Sequence, residues 1–392
     1  SSSSSYRYLY IRKWLKTTAR AGEFMKTREL RLPFYVGGFM GPFGATVILP
    51  MFPELRHSFN VSSQTIGWGF TAYLLPFALL LLVSGTLGER WGRQRTVRAT
   101  YLMYTFASVL CAVSPNITMF LFARSLQGIA TAFITPLLLS GLAEMVPPER
   151  FGRQVGIYSS FQALGVGLAP IVGGIAADTL WEAAFWGTAV VSFILSLFPP
   201  TGQPKEGANL PSLRTLFQGR ILRIGFATLA VAAGPMGVNI LVAVAARDKF
   251  NVSGSQTGLI LLVGAASMFL LGPFWGRTID RLGSRKSSLL AATAVTIFSS
   301  LLFIASSPLM LAVLWFFAGG MVGYMSVVLQ ALGATEAPEN RGGTLSFILS
   351  FRFLGTGILP VLWIPVLEKS YEAAILGSSA LGLIAIYLLA RS

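Results

Sequence analysis

The sequence predicts an all-α polytopic membrane protein, with twelve transmembrane helices in two pseudo-symmetric six-helix bundles. Of its 392 residues, 54% are hydrophobic and 11% are charged, and the mean hydropathy is +0.67, whereas soluble domains carry about 25% charged residues. The charges lie between apolar runs of roughly 18–25 residues, the length that crosses a ~30 Å hydrocarbon core. Only helices and closed barrels span lipid, and the ~10-residue alternating segments of a barrel do not occur here.

Twelve apolar runs define the predicted spans. They are 33–53, 65–86, 97–114, 117–142, 154–177, 183–200, 222–246, 256–276, 287–306, 309–332, 343–366 and 372–390. The longest polar connection, 201–221, is rich in Pro and Gly and lies in the middle of the chain. We therefore expect a cytoplasmic linker there, between an N-terminal bundle (25–200) and a C-terminal bundle (222–392).

Residues 1–24 are expected to be vector-derived or disordered rather than part of the functional protein. "SSSSS" is of low complexity, "AGEF" before Met25 resembles a cloning scar, and "MKTREL" is a plausible native start. A native basic segment on the membrane surface is the alternative, which "YRYLYIRKWLK" would suit.

The net charge of +15 is a topology signal and not a sign of nucleic-acid binding. If the N-terminus is inside, most Lys and Arg lie in inside segments, and the outer loops hold only Arg56, Arg247, Lys249 and Lys369. This asymmetry predicts a multi-pass protein of the plasma or inner membrane, with both termini in the cytoplasm.

The cysteine and histidine content argues against an enzyme. Cys111 and His57 are the single residues of their types, which excludes a disulfide framework and a Cys/His metal cage. Redox, zinc and Ser-His-Asp chemistry have no residues to use, so we expect no metal, no cofactor and no catalytic residues.

The chain contains an internal repeat. Residues 148–170 (PERFGRQVGIYSSFQALGVGLAP) align with 338–360 (PENRGGTLSFILSFRFLGTGILP), and 85–95 (GTLGERWGRQR) align with 276–286 (GRTIDRLGSRK). Two duplicated six-helix halves, each beginning inside, are typical of a transporter whose binding site lies between the halves.

Over residues 33–390 the sequence resembles the major facilitator superfamily. GTLGERWGRQR resembles the family signature between helices 2 and 3, and RSLQG (124–128) resembles the signature of helix 4. GATVILPMFP (44–53) and GIYSSFQALGVGLAPIVGG (156–174) are similar to motifs of helices 1 and 5 in the twelve-helix drug:proton antiporter branch, with Ala169 replacing one glycine. The resemblance implies secondary transport by alternating access and, for that branch, exchange of drug-like compounds for protons.

Both copies of the loop motif carry a carboxylate among arginines beside a helix start, whose dipole favours it. The residues that we predict to form a cytoplasmic gate are Gly85, Glu89, Arg90, Gly92, Arg93, Asp280, Arg281 and Gly283. Glu89 would pair with Arg90 or Arg93, and Asp280 with Arg281 or Arg285. The resemblance implies that such pairs form in one conformation and break in another, although Glu89 replaces the family's usual Asp. Topology and turn structure alone, with glycines at positive φ, is the alternative.

Two arginines lie inside predicted spans, where a charge is costly and almost always faces a cavity or a partner. Arg124 lies ~10 Å deep and could snorkel, and the resemblance gives it a structural and proton-coupling role with Gln127. Arg352 lies ~13 Å deep, near the midplane, and replaces Gln162 of the first half. We predict that Arg352 contacts substrate or couples transport, with a satisfied structural cation as the alternative.

All Asp and Glu residues lie in termini, loops or span ends, whereas exporters of cationic drugs usually carry a membrane-embedded carboxylate. Charge complementarity therefore favours a neutral, zwitterionic or anionic amphiphile. Proton coupling, if present, would use Glu89, Asp280, Glu144 or Glu54. Other polar candidates for a large apolar cavity, each of which could instead bond a neighbouring helix, are Tyr35, Tyr73, Tyr158, Gln162, Asn239, Tyr324 and Gln330.

Glycine recurs along the fifth predicted helix. Gly165, Ala169 and Gly173 lie four residues apart, a spacing of small residues that lets another helix approach closely. Pro170 bends the helix beside them, and Gly174 follows. We predict that these residues form a packing seam and pivot between the halves.

The sequence thus predicts a monomeric secondary exporter of small amphiphilic compounds in the lipid bilayer, working by alternating access and proton antiport, as in multidrug resistance. An uncoupled facilitator or lipid-type flippase on the same fold is the alternative. A non-transporting membrane receptor is a third hypothesis, although both copies of the loop motif are present.

Overall fold

The computed structural model describes residues 31–145, 148–200, 218–336 and 341–391, and the regular structure in these ranges is helical. The N-terminal half contains α1 (Leu32–Thr46), α2 (Phe52–Phe59), α3 (Ser63–Leu81), α4 (Ser84–Trp91), α5 (Arg93–Ala112), α6 (Ile117–Glu144), α7 (Pro148–Asp178) and α8 (Glu182–Leu197). The C-terminal half contains α9 (Gly219–Ala232), α10 (Asn239–Asp248), α11 (Gly254–Leu282), α12 (Ser284–Ser300), α13 (Pro308–Thr335), α14 (Arg341–Leu367) and α15 (Tyr371–Ala390). Short 3-10 helices cover Leu49–Met51 and Leu301–Ile304.

The predicted all-α membrane fold is confirmed. Each predicted apolar run contains helix, and in the described ranges nine helical segments are long and apolar enough to cross a bilayer. The number of twelve spans stays a prediction, because α8 has only 16 residues and the seventh run is interrupted. Residues 1–24 and most of the linker 201–221 lie outside the described residues.

The prediction of one continuous span over 222–246 is wrong. Residues 233–238 (AGPMGV) form turns between α9 and α10, because Gly and Pro disfavour helix. Side chains of other helices satisfy carbonyls in this break: Ser299 Oγ donates to Pro235 at 2.7 Å, and Trp363 Nε1 donates into the break at 3.0 Å. Non-helical backbone at membrane depth is tolerated where protein buries it in this way.

The two copies of the loop motif make the same turn. Gly92, between α4 and α5, has φ +93°, and Gly283, between α11 and α12, has φ +79°. Glycine adopts these angles without strain. The two loops therefore have equivalent backbone geometry, as the internal repeat predicts.

Two helix pairs make the main contacts between the halves: α3 with α14, and α7 with α11. In the first pair, Thr71 Oγ1 donates to Gly357 O at 2.5 Å, and the rings of Phe77 and Phe353 meet edge to face at 4.8 Å. We call the end of the molecule that carries Asp178 the outer end, and the end that carries Arg93 the inner end.

Candidate functional site

At the inner end, Arg93 binds two carboxylates. Its guanidinium donates to Glu89 at 2.8 and 3.0 Å and to Glu144 at 2.7 and 2.8 Å, and Ser140 Oγ donates to Glu89 at 2.7 Å. Arg93 has no exposed surface, and Glu89 is buried. Burial lowers the pKa of Arg93, but hydrogen bonds to Glu144 and Glu89 raise it by more. These bidentate pairs hold the α4–α5 turn against α6.

This cluster lies within one half of the molecule. The structure thus contains the predicted pair of Glu89 with Arg93 and adds Glu144, which the sequence did not place in the gate. In the second copy, Asp280 and Arg281 are both exposed, and the described ion pairs do not join them. Arg90 is exposed, and Gly85 packs against Pro136. Whether the cluster opens during transport stays a prediction.

Arg124 is fully buried inside the N-terminal half. It donates to Gly44 O at 2.8 Å, to Gly69 O at 3.1 Å and to Gln127 Oε1 at 2.7 Å, and it lies 4.6 Å from the ring centroid of Tyr73. Arg124 therefore joins α1, α3 and α6 and does not snorkel. In this conformation it presents no surface to a cavity, so its contact with substrate stays a prediction.

Arg352 has different surroundings. It is half-buried on α14, and in the described part of the chain no hydrogen bond or ion pair engages its guanidinium, which lies 5.6 Å from the ring centroid of Phe353. Leu345, two turns earlier on the same stripe of α14, packs on Gly333 of α13, and Leu359, two turns later, packs on Gly237 of the break between α9 and α10. On α13, Gln330 is exposed and donates to Ser326 O at 3.3 Å. Arg352 and Gln330 are thus polar groups of one helix pair.

The structure divides the other predicted cavity residues into two groups. Tyr73, Tyr158 and Tyr324 are buried within the half-bundles, and Tyr324 stacks on Trp275 at 4.5 Å. Those three tyrosines therefore pack inside their own halves in this conformation. The second group is half-buried and consists of Tyr35, Gln162 and Asn239. The Tyr35 hydroxyl donates a hydrogen bond to Gln154 Oε1.

The glycines of α7 serve two different contacts. A Cβ on Gly165 would lie 2.4 Å from Phe39 O of α1, and a Cβ on Gly173 would lie 2.0 Å from Val47 O, directly after α1 in the same half. A Cβ on Gly174 would lie 2.2 Å from Gly254 O of α11, in the other half. Assigning the whole set to the boundary between the halves is therefore wrong, because successive residues of a helix point 100° apart. Ala169 shares the buried stripe with Gly165, whereas Pro170 lies against α11.

Polar contacts cross between the halves at the outer end, and the sequence did not predict them. Glu54 pairs with Arg247, Arg56 lies 3.6 Å from Asp248, and Asp178 accepts hydrogen bonds from the start of α11. Burial raises the pKa of Asp248, and the nearby arginines lower it by less. Arg247 is a cation at the outer end of α10, against the positive-inside rule, which is the signal in the sequence that could have indicated these pairs.

An open cavity of about 460 Å³ lies beside these contacts. Its lining includes Glu54, His57, Trp181 and Glu182. Since these residues belong to the outer end of the N-terminal half, the cavity is separate from Arg352 on α14.

Sequence comparisons agree with this architecture. The family model described as Major Facilitator Superfamily matches residues 34–223 and 224–392. The MFS-type transporter YybF of Bacillus subtilis (strain 168) is 26% identical over 351 residues, which cover 84% of this chain and 85% of that protein. An MFS-type transporter of Mycobacterium tuberculosis (strain ATCC 25618 / H37Rv) is 29% identical over 224 residues, which cover 57% of this chain but 31% of that protein. The chain thus spans about a third of the length of that relative.

Solved structures share the fold. A mutant of the nucleoside transporter NupG superposes with a TM-score of 0.76 at 13% identity, covering 92% of this chain and 99% of that one. A bacterial homologue of the human lysosomal transporter Spinster, in an inward-facing and occupied conformation, gives a TM-score of 0.71 at 17% identity, covering 93% and 96%. With both of its halves matched by the family model and with nine described helical segments long and apolar enough to cross a bilayer, this chain is a multi-pass membrane protein that belongs to the major facilitator superfamily.

Proposed function

We propose that this protein is a secondary active exporter of small neutral or anionic amphiphiles, which it moves by alternating access in exchange for protons. The observation that carries the proposal is the state of Arg352, a half-buried cation within a membrane helix with no described hydrogen-bond or ion-pair partner. An unpaired charge at this depth is costly. An anionic group of a substrate would form charge-assisted hydrogen bonds with it.

The position of the acids supports the same substrate class. The described Asp and Glu residues lie near helix ends or in connections, as Glu54, Glu144 and Asp178 do. A lipophilic cation would therefore find no carboxylate beside it in the middle of the described helices. Neutral and anionic compounds do not need one.

The contacts between the halves support alternating access. At the outer end, α7 packs on α11 through backbone, and ion pairs cross the boundary. At the inner end, the Arg93 cluster lies within one half, and Asp280 of the other half is exposed. This arrangement suits a conformation that is closed outside. Export, proton antiport and cytoplasmic termini rest on the motif of α7 and on the distribution of Lys and Arg.

An uncoupled facilitator or lipid-type flippase is the second candidate. It is favoured by the lack of a carboxylate in the middle of any described membrane helix, because antiporters of cations use such a group to bind the proton. Transport in proteoliposomes, measured with and without an imposed pH gradient, separates the two candidates. Acceleration by the gradient supports antiport, and a rate that ignores the gradient contradicts it.

Replacing Arg352 with alanine is expected to weaken binding of an anionic amphiphile by about ten- to a hundredfold, since hydrogen bonds to a charged group contribute about 1.5–3 kcal/mol. Suitable probes are decanoate and decanol, which share one chain and differ in charge. Calorimetric titration of the purified protein in nanodiscs measures both affinities.

Two control variants sharpen this experiment. Arg352→Lys keeps the charge and should retain much of the affinity for decanoate, and Arg281→Ala removes an exposed arginine at the inner end and should change neither affinity. If Arg352→Ala bound decanoate as tightly as the wild type, Arg352 would not belong to the site.

A further inference from the structure

The start of α11 has four backbone N–H groups without partners inside the helix, as every α-helix has. Two of them are satisfied by a capping box. Ser253 Oγ accepts from Gln256 N at 3.2 Å, and Gln256 Oε1 accepts from Ser253 N at 3.3 Å. The N–H groups of Gly254 and Ser255 remain, and nothing in the capping box reaches them.

Asp178, the last residue of α7 in the other half, satisfies these two groups. Its Oδ1 accepts from Gly254 N at 2.8 Å, and its Oδ2 accepts from Ser255 N at 2.8 Å and from Ser255 Oγ at 2.5 Å. Both carboxylate oxygens are therefore used. The positive end of the α11 dipole favours a negative charge at this position.

The backbones of the two halves must approach closely for these bonds to form. A Cβ on Gly254 would lie 2.6 Å from Gly174 O and 2.8 Å from Ala177 Cβ. At Gly174 of α7 and at Gly254 of α11, only glycine fits without displacing a helix. The cap is thus complete only when α7 and α11 are in contact at the outer end.

We infer that Asp178 is a removable helix cap, which completes the N-terminus of α11 in the closed outer end and leaves it when the halves separate. On opening, Asp178 and the N–H groups of Gly254 and Ser255 pass to water, so the cap favours the closed conformation. The Arg247 guanidinium lies 3.9 Å from the Asp178 carboxylate and also pairs with Glu54, so an ion pair adds to the cap. The Arg56–Asp248 pair is partly exposed and contributes little. Asp178 is therefore a positioning residue of the transport cycle. The inference rests on the alternating access of the proposed function.

The test compares Asp178→Asn with the wild type by the distance between the halves. Gln64 and Ser306 are exposed at the outer ends of opposite halves, so spin labels at Gln64→Cys and Ser306→Cys, in a Cys111→Ala background, report the outer opening. Pulsed electron paramagnetic resonance in lipid nanodiscs gives the populations of short and long distances. We expect the closed-to-open ratio to fall about fivefold, the factor that loss of one helix cap typically causes.

Three controls make the result specific. Glu182→Gln removes another carboxylate at the outer end of the same half, one without a described contact across the boundary, and should leave the distances unchanged. Ser255→Ala removes one of the three bonds and should shift the ratio in the same direction by less. Thermal unfolding shows that each variant is folded.

An Asp178→Asn variant that is folded and has wild-type distances would overturn the inference. The measurement needs neither substrate nor pH gradient. A failure to find export would therefore leave the cap intact, and a failure of the cap would leave export and proton coupling untouched.

Discussion

Replacing Arg93 with alanine is expected to lower the free energy of unfolding by about 3–5 kcal/mol, the usual result of removing one partner from a buried ion pair. Arg93 has no exposed surface, and Glu89 is 8% exposed. Without the guanidinium, the Glu89 carboxylate keeps only the Ser140 hydroxyl among the bonds described above and remains buried. Loss of the ion pair between Arg93 and the half-exposed Glu144 costs less free energy. Unfolding by denaturing detergent, followed by tryptophan fluorescence, measures the change.

The second copy of the loop motif provides a matched control. Arg281 is exposed, so Arg281→Ala should change the free energy of unfolding by less than about 0.5 kcal/mol. Adding Glu89→Gln to Arg93→Ala should restore part of the lost stability, because it removes the charge of a buried carboxylate that no longer pairs with Arg93. Equal losses for Arg93→Ala and Arg281→Ala would show that the buried cluster contributes no more than a surface arginine.

Alanine at Gly173 and alanine at Gly174 are expected to damage the protein in different ways. At Gly173 the new Cβ would lie 2.0 Å from Val47 O of the same half. Forcing α7 from α1 should therefore lower the free energy of unfolding by about 1–3 kcal/mol. At Gly174 the Cβ would lie 2.2 Å from Gly254 O of the other half. There the halves can separate instead, so the fold should survive while closure of the outer end is lost.

For Gly174→Ala we expect the closed-to-open ratio to fall by about 5- to 150-fold, the same overpacking energy expressed as an equilibrium constant, and transport to fall with it. Thermal unfolding and the distance between labels on the two halves separate the two variants. Gly187→Ala is the control, because in the described part of the chain no atom outside the adjoining backbone of α8 lies within 4 Å of its Cβ position. Wild-type distances in Gly174→Ala would contradict the assignment of this glycine to the boundary.

Local patterns could be predicted from the sequence, and contacts distant along the chain could not. The turns at Gly92 and Gly283 follow from the repeated motif, and the pair of Glu89 with Arg93 lies four residues apart. Glu144 is 51 residues from Arg93, and only the packing of α6 against the α4–α5 turn brings them together. Likewise, Asp178 and Gly254 are 76 residues apart, and only the packing of α7 against α11 brings them together.

The predictions of a continuous seventh span and of a single seam on α7 were wrong for physical reasons that the sequence shows only in part. The break at 233–238 contains Gly, Pro and a second Gly, but mean hydropathy does not distinguish a helix from a buried turn. The seam on α7 depends on which face of the helix each glycine occupies. Gly173 and Gly174 are neighbours in sequence, yet they contact different halves.

The break in the seventh span separates α10 from α9, so the two segments do not form one continuous rod. Ser299 and Trp363 bind carbonyls of the break, and the ten residues of α10 extend about 15 Å beyond it. Residues 240–246 are buried against neighbouring helices, and Arg247 at the outer end pairs with Glu54 of the other half. A tilt of α10 that parts this ion pair would therefore also move its neighbours in the C-terminal half.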